Sequence, residues 1–369
     1  MRVPMSTIDI VIPCYNYGRF LEGCVASVLQ QSTQQLRLHI IDDASSDDSL
    51  SVATKLAERD RRITVTSHPH NRGHIATYNE GIAWASADYF MILSADDMLV
   101  PGALERAAGV MDANPDVVLT FGQCIGWHDE LPLPTTYPQP SATWARQDLV
   151  SDMCEYAGSY SRFQNCSWGC WFRFWGRPYR RIGFCTTSVI VRTQTQKAIG
   201  GYRTSLPHTA DTEMWMRFAT HGAVARIDAV QAIYRWHSSN MSQAYFDRQL
   251  SDLQQRKQAF DLFFKEYGDR VPGGRRLHER AVRSLAEKAF WDGIIQLCRG
   301  WFVSGRGLLR FSFSLDPSLR YQPPLRRGPA VFADVVGRLV ARCTRALVRS
   351  RHALSDGLGV RVRPPLTRW

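Results

Sequence analysis

Short apolar runs alternate with amphipathic stretches through the first 120 residues of the chain. Residues 8–12 (IDIVI), 36–41 (LRLHII), 63–66 (ITVT), 89–93 (YFMIL) and 117–120 (VVLT) are brief apolar runs closed by turn or charged residues, the pattern of buried strands. Between them, Phe20, Cys24, Val25, Val28 and Leu29 fall on one helical face, and helices are predicted over 49–58, 75–84 and 101–112. Asp47 or Asp48 is placed to cap the helix over 49–58. Strands alternating with helices predict βαβ units and an α/β fold with a mostly parallel sheet flanked by helices. Past residue 242 the period changes, and 250–267, 276–299 and 301–313 all read as helices. The 369 residues suit a two-part chain, read here as a catalytic domain over 1–242 and a helical region over 243–369.

This topology concentrates chemistry. Right-handed crossovers bring the ends of the first, second and fourth strands to one edge of the sheet, where open α/β folds bind ligands. Tyr15, Asp43 and Asp96 therefore converge on one crevice. An aromatic face, a carboxylate able to accept from a base N–H, and Asp96-Asp97 able to bind a cation on phosphates together suit a nucleotide. Each residue also has a plain structural role open to it. Tyr15 can pack on the first helix, Asp43 can close an Asx turn, and Asp96 can cap the helix that Pro101 opens. Strand one runs into PCYNYG rather than G-x-G-x-x-G, which argues against a dinucleotide enzyme. Farther on, Asp211 precedes Met214, Trp215 and Phe218 at +3, +4 and +7, so it shares the buried face of a helix. It is either an N-cap or a reactive carboxylate, with Glu213 two residues on as the other acid.

Four stretches, IVIPCYNYGRFLEGCVASVLQQ, IIDDASSDDS, NRGHIATYNEGI and ADYFMILSADDMLVPGALE, closely resemble the family 2 inverting glycosyltransferases of GT-A fold. The likeness resumes at TTSVIVRTQTQKAIGGYR, ADTEMWMRFATHG and YRWHSSNMS. It implies a GT-A, Rossmann-like catalytic domain that moves a sugar from a nucleoside-diphosphate sugar, of which a UDP-sugar is the expected case. The acceptor would be a hydroxyl of a saccharide or lipid-linked saccharide in cell-surface polysaccharide synthesis. By the resemblance, Pro13 and Tyr15 hold the base, Asp43 accepts from it, and Arg72 lies by the nucleotide. Asp96 and Asp97 hold Mn²⁺ or Mg²⁺, Asp211 is the catalytic base, and His237 stands near the phosphates or the metal. Two positions depart from the usual pattern: Ser94 replaces the first Asp of the metal motif, and Ala210 replaces the acid before Asp211. A serine can hydrogen-bond a ribose or phosphate oxygen but adds no charge. Two rivals remain open, a nucleotidyltransferase, which usually carries a Gly- and Lys-rich loop absent here, and a non-catalytic GT-A-like binding protein, which the two departures would suit.

Charge separates the two halves. Residues 271–369 carry 18 Arg and 1 Lys against 6 acids, a net +13 that exceeds the +11 of the whole chain, so residues 1–270 are close to neutral at −2. Such asymmetry points to an anionic surface. Over 330–354, Val331, Val335, Val336, Leu339, Val340, Leu347 and Val348 alternate with Arg338, Arg342, Arg345, Arg349 and Arg351, which suits an amphipathic helix at a membrane face. A charged face of a packed helix is the alternative. No nucleic-acid-binding module is recognisable, so nucleic acid is not expected as a partner. Residues 126–183, on the acceptor side by the resemblance, bring Trp168, Trp171, Phe172, Phe174, Trp175 and Tyr179 beside Arg173, Arg177, Arg180 and Arg181. They suit sugar stacking, a membrane interface or a small aromatic core. Nine cysteines without regular spacing suggest reduced thiols, and zinc on Cys154, Cys166, Cys170 and Cys185 is not favoured. No signal peptide and no transmembrane run are expected, and the reading is a cytoplasmic protein peripheral on the inner membrane face.

Overall fold

The computed structural model describes residues 6–32, 35–129, 133, 143–155, 157–158, 180–182, 186–241 and 249–321. Two compact units divide the chain, Met1–Leu285 and Ala286–Trp369. In the first unit the strands are β1 (Ile8–Cys14), β2 (Leu36–Asp42), β3 (Ile63–Ser67), β4 (Tyr89–Ile92), β5 (Met98–Leu99), β6 (Val117–His128), β7 (Trp144–Gln147), β8 (Arg180–Ile182), β9 (Ile190–Arg192) and β10 (Ala223–Trp236). The helices are α1 (Gly18–Leu29), α2 (Ser49–Arg59), α3 (His74–Trp84), α4 (Ala103–Ala113), α5 (Leu149–Glu155), α6 (Thr193–Ile199), α7 (Ala210–Ala219) and α8 (Gln249–Tyr267).

All ten strands form one sheet of order β3-β2-β1-β4-β9-β6-β10-β5, with β7 added on β10 and β8 on β6. The β3-β2-β1-β4 half is parallel throughout, as the alternation of strands and helices predicts. The other half is mixed. β9 runs antiparallel between β4 and β6, while β6 and β10 pair in parallel. Both β6 and β10 are long, and β6 extends well past the apolar run at 117–120 because Gln123–Trp127 stays paired with β10. Ile10, Ile12, Leu38, Ile40, Met91, Leu104 and Ile125 fill the core between sheet and helices.

The first unit continues beyond residue 242 because α8 packs on α7. Its Asp252 and Arg256 form a buried ion pair, and its Phe260 and Phe263 are fully buried. In the second unit, the end of α9 (Gly274–Cys298) and α10 (Phe302–Leu315) form an αα-hairpin. Ala286, Phe290 and Leu319 are its core, with Ile294, Leu309 and Phe313 packed against them. The hairpin closes tightly at two glycines. A Cβ on Gly305 would sit 2.7 Å from Leu297 Cγ, and one on Gly293 would sit 2.9 Å from Leu309 Cγ. The helix read over 330–354 and most of the aromatic 126–183 segment lie outside the described residues. Among the described residues no helix is long and apolar enough to cross a membrane.

Candidate active site

A cavity of about 660 Å³ opens at the carboxyl ends of β1, β2 and β4, and its wall includes Pro13, Tyr15, Asp43, Ser94, Asp96 and Asp211. Local chemistry builds each corner. The loops after β1 and β2 are knotted together: the Asn16 amide donates to Ser45 Oγ at 2.9 Å, and the Ser46 amide donates to Asn16 Oδ1 at 2.8 Å. Asn16 and Ala44, at φ of 58° and 59°, are the two non-glycine residues in the left-handed region among those described. Strain of this kind gathers at functional sites and persists only where surrounding bonds enforce it. Gly18 is required here because a Cβ would lie 2.8 Å from the Ser49 amide nitrogen. Asp47, rather than capping α2 alone, accepts from the amides of both Gly18 and Ser49 and so ties the starts of α1 and α2. Tyr15 is left 48 % exposed at the cavity mouth, free to present its ring to a base rather than to α1.

Asp43 is held from three sides. Its Oδ1 meets His68 Nδ1 at 2.7 Å and accepts from the Arg72 amide at 2.7 Å, while Oδ2 accepts from the Gly73 amide at 2.9 Å. Burial alone would raise the Asp43 carboxyl, but these two amides and the His68 ring outweigh it and hold it below the usual range. His68 Nε2 in turn reaches Glu80 Oε2 at 3.0 Å. Arg72 departs from expectation. Its backbone serves Asp43, but its guanidinium donates to Glu80 at 2.6 Å, and the residue does not line the cavity.

Asp96 caps no helix. α4 starts after Gly102, six residues on, with no side-chain cap. Its Oδ2 accepts from Asn240 Nδ2 and faces His237 Nε2, both at 3.1 Å, and both contacts fall on the one oxygen. The Ser239 amide donates to His237 Nδ1 at 3.2 Å. That fixes Nδ1 as acceptor, so Nε2 carries the proton and donates to Asp96. His237 is 5 % exposed, packed against Phe20 and Tyr17, and stands behind Asp96 rather than in the cavity wall. In this arrangement it orients Asp96 instead of offering a lone pair to a cation. Asp97 is also engaged. Its Oδ2 accepts from Thr187 Oγ1 at 2.7 Å and its Oδ1 from the Arg235 amide at 3.0 Å, so it clamps β10 and the turn before β9 to the site. Arg235 lies between the Phe20 and Trp127 rings and donates to the Asp96 carbonyl.

Also on the cavity wall, Asp211 is the second residue of α7, and the N-cap position belongs to Thr209. Asp211 Oδ1 accepts from the Thr212 amide at 2.7 Å and Oδ2 from Thr186 Oγ1 at 3.1 Å. Burial pushes its carboxyl up from the usual range, and these bonds pull it part of the way back. Glu213 faces away from the cavity. It is fully buried between Arg203 Nε and Arg217 Nε, each at 2.9 Å. Breaking such a pair leaves a buried charge uncompensated. Glu213→Gln is therefore expected to lower stability by about 3–5 kcal/mol in urea unfolding, with its cost in folding rather than turnover.

Thr186, Thr187, Tyr78, Tyr202 and His208 also line the cavity. The sequence shows the Thr-Thr pair before β9 but not that each hydroxyl takes one carboxylate. Burial and the nearby Arg256 charge push His208 down to about 4, so it is neutral at pH 7.

Among the described residues the cavity wall contains four aspartates and no Lys or Arg. Nor do three His, Cys, Asp or Glu side chains cluster closely enough to hold a metal by themselves. A diphosphate placed here would need a cation that it helps to hold. One carboxylate oxygen beside substrate phosphates and water is the set that Mg²⁺ and Mn²⁺ use.

A sheet whose parallel half ends in a carboxylate-lined cavity, extended by a mixed half that brings in Asp211, is a GT-A fold. The solved structure of S. aureus TarS 1-349 in complex with UDP-GlcNAc shares it at a TM-score of 0.50 and 13 % identity, covering 86 % of this chain and 93 % of that one. Residues 9–164 match the model of glycosyl transferase family 2. An uncharacterized glycosyltransferase of Haemophilus influenzae is 34 % identical over 118 residues, 32 % of this chain and 47 % of its own length. A Campylobacter jejuni protein, GalNAc(5)-diNAcBac-PP-undecaprenol beta-1,3-glucosyltransferase, is 30 % identical over 122 residues, 33 % of this chain and 39 % of that one. The chain thus spans about half, or less, of the length of these relatives. Tyr15, Asp43 and Asp96 fall inside the family match, and Asp211 lies beyond it.

Proposed function

We propose that this glycosyltransferase moves a sugar, with inversion, from a UDP-sugar to a hydroxyl of a saccharide or lipid-linked saccharide. The observation that supports this reading is the cavity itself, whose wall brings together Tyr15, Asp43, Ser94, Asp96 and Asp211. Tyr15 offers its ring to the base, and Asp43, kept ionised by its three partners, accepts from a base N–H. Asp96, steadied by His237 and Asn240, is the residue that would hold Mn²⁺ or Mg²⁺, and a cation held there would supply charge neutralisation for the leaving diphosphate. Ser94 donates to a ribose or phosphate oxygen. Asp211 takes the proton of the acceptor hydroxyl as that oxygen attacks the anomeric carbon from the face opposite the diphosphate. One displacement then suffices. The lipid-linked acceptor and a peripheral place on the cytoplasmic membrane face are parts of this proposal, supported by the basic 271–369 region and by the words that describe the Campylobacter relative. Hydrolysis and transfer assayed over a panel of nucleotide sugars tests it: turnover of UDP-sugars supports the reading, and turnover of none contradicts it.

A pH prediction follows from the surroundings of Asp211. Its raised pKa places the acid limb of kcat/KM above the usual carboxylate range near about 4. Thr186→Val removes a hydrogen bond that favours the ionised form, so the limb should move to higher pH, while Thr186→Ser should restore it. An unmoved limb in Thr186→Val would separate Thr186 from the base.

A further inference from the structure

We propose that the tip of the αα-hairpin in the second unit is a docking surface for an anionic lipid bilayer, distinct from the basic 322–369 tail. Gly300, at φ of 81°, reverses the chain between α9 and α10. The next three residues turn outward: Trp301 and Phe302 are each 59 % exposed and Val303 is 90 % exposed. Soluble surfaces tolerate scattered apolar residues, but three consecutive large ones at a loop tip need a partner.

The tip is held in shape rather than splayed. The Trp301 amide donates to the Gln296 carbonyl at 2.9 Å, and the Trp301 carbonyl accepts from the Gly305 amide at 2.9 Å. Behind it, the close crossing at Gly293 and Gly305 turns Leu308 and Ser312 inward. The apolar residues that face out are therefore surplus to the hairpin core.

Charge selects the partner. Residues 293–315 carry three Arg and no acid. Arg299 lies with its Cζ 5.9 Å from the Trp301 ring centroid. Arg306 and Arg310 are exposed on α10, three and seven residues after Val303, and so share its side of the helix. A Trp-Phe-Val wedge ringed by arginines matches the boundary of an anionic bilayer. There the apolar groups enter below the headgroups, the indole sits at headgroup level, and each guanidinium meets a phosphate. A protein partner of ordinary surface would not need so uniform a charge, and a second copy would bring like charge against like.

This inference goes beyond glycosyl transfer and does not depend on it. The test is co-sedimentation of the full-length protein with phosphatidylcholine vesicles, with and without phosphatidylglycerol, using wild type, a Phe302→Glu/Val303→Glu variant and a variant with Arg338, Arg342, Arg345 and Arg349 changed to Gln. The tip variant is expected to bind anionic vesicles on the order of tenfold more weakly than wild type, even with the tail intact. Its far-UV circular dichroism and thermal unfolding midpoint should match those of wild type, which shows that it has folded. In vesicles of brominated anionic lipid, quenching of tryptophan emission should fall in Trp301→Ser. Wild-type binding that the tip variant retains in full, or that only the tail variant loses, overturns the proposal. So does failure of the wild type to bind anionic vesicles, and so does a dimer in gel filtration that the tip variant breaks while vesicle binding is unaffected. None of these outcomes bears on the UDP-sugar reading, which nucleotide binding and turnover decide separately.

Discussion

Asp211→Asn is expected to lower sugar transfer by about 10²–10⁴-fold while leaving UDP binding intact. The substitution keeps shape and most hydrogen bonds. With its carbonyl oxygen in the Oδ1 place, Asn still accepts from the Thr212 amide, and the Thr186 hydroxyl can turn to accept from the new NH2 in the Oδ2 place. What is lost is the ability to accept a proton, and nothing else in the cavity replaces it. Glu213 is committed to Arg203 and Arg217, and His208 is tied to Asp252 at 2.6 Å. The nucleotide corner at Tyr15 and Asp43 is built from other elements and should not register the change. Single-turnover transfer alongside UDP titration checks both halves, and full activity in the variant would remove Asp211 from the mechanism.

The second large effect is expected at Asp96. Asp96→Ala should lower transfer on the order of 10²-fold or more and should cancel any gain in UDP affinity that Mn²⁺ provides. Ser94→Ala, which removes one neutral hydrogen bond, should cost on the order of tenfold or less. The asymmetry follows from the cavity wall. With no Lys or Arg among its described residues, the wall would, on the proposed reading, rely chiefly on Asp96 to bring a cation to the diphosphate. Asp97 is held in place by Thr187 and the Arg235 amide, one on each oxygen, and so is less free than Asp96 to turn toward a cation. Removing His237 should act through Asp96 by freeing it to turn, and its effect should vanish in an Asp96→Ala background. Equal losses from the Asp96 and Ser94 changes would refute this division of labour.

How much of this could be read in the sequence depends on the range of the interactions involved. The parallel half of the sheet is legible because each strand is a short apolar run with a helix of clear period after it. The convergence of Tyr15, Asp43 and Asp96 is legible for the same reason, since topology alone places strand ends. β9 is not, because three residues (IVR) carry no period, and its place between β4 and β6 is set by pairings to both. Nor can the roles of Asp97, His237 and Arg72 be told apart from spacing. Asp97 is fixed by Thr187 and Arg235, 90 and 138 residues away, and His237 by Asp96 at a separation of 141. Arg72 sits where the family pattern puts it, but Glu80, nearly two turns into α3, takes its side chain. In the second unit, period marked 301–313 as a helix, yet the same apolar letters serve core and surface. That Leu308 faces in while Trp301 to Val303 face out follows from the Gly293–Gly305 crossing, which no period reveals.

The central claim is that this cavity is a metal-assisted site for a nucleoside diphosphate. Isothermal titration of UDP into the full-length protein, with and without Mn²⁺, tests it most directly. Saturable binding that tightens with Mn²⁺ in wild type, and no longer tightens in Asp96→Ala, is the predicted result. UDP binding that is absent in both conditions, or that is indifferent to the metal, would contradict it.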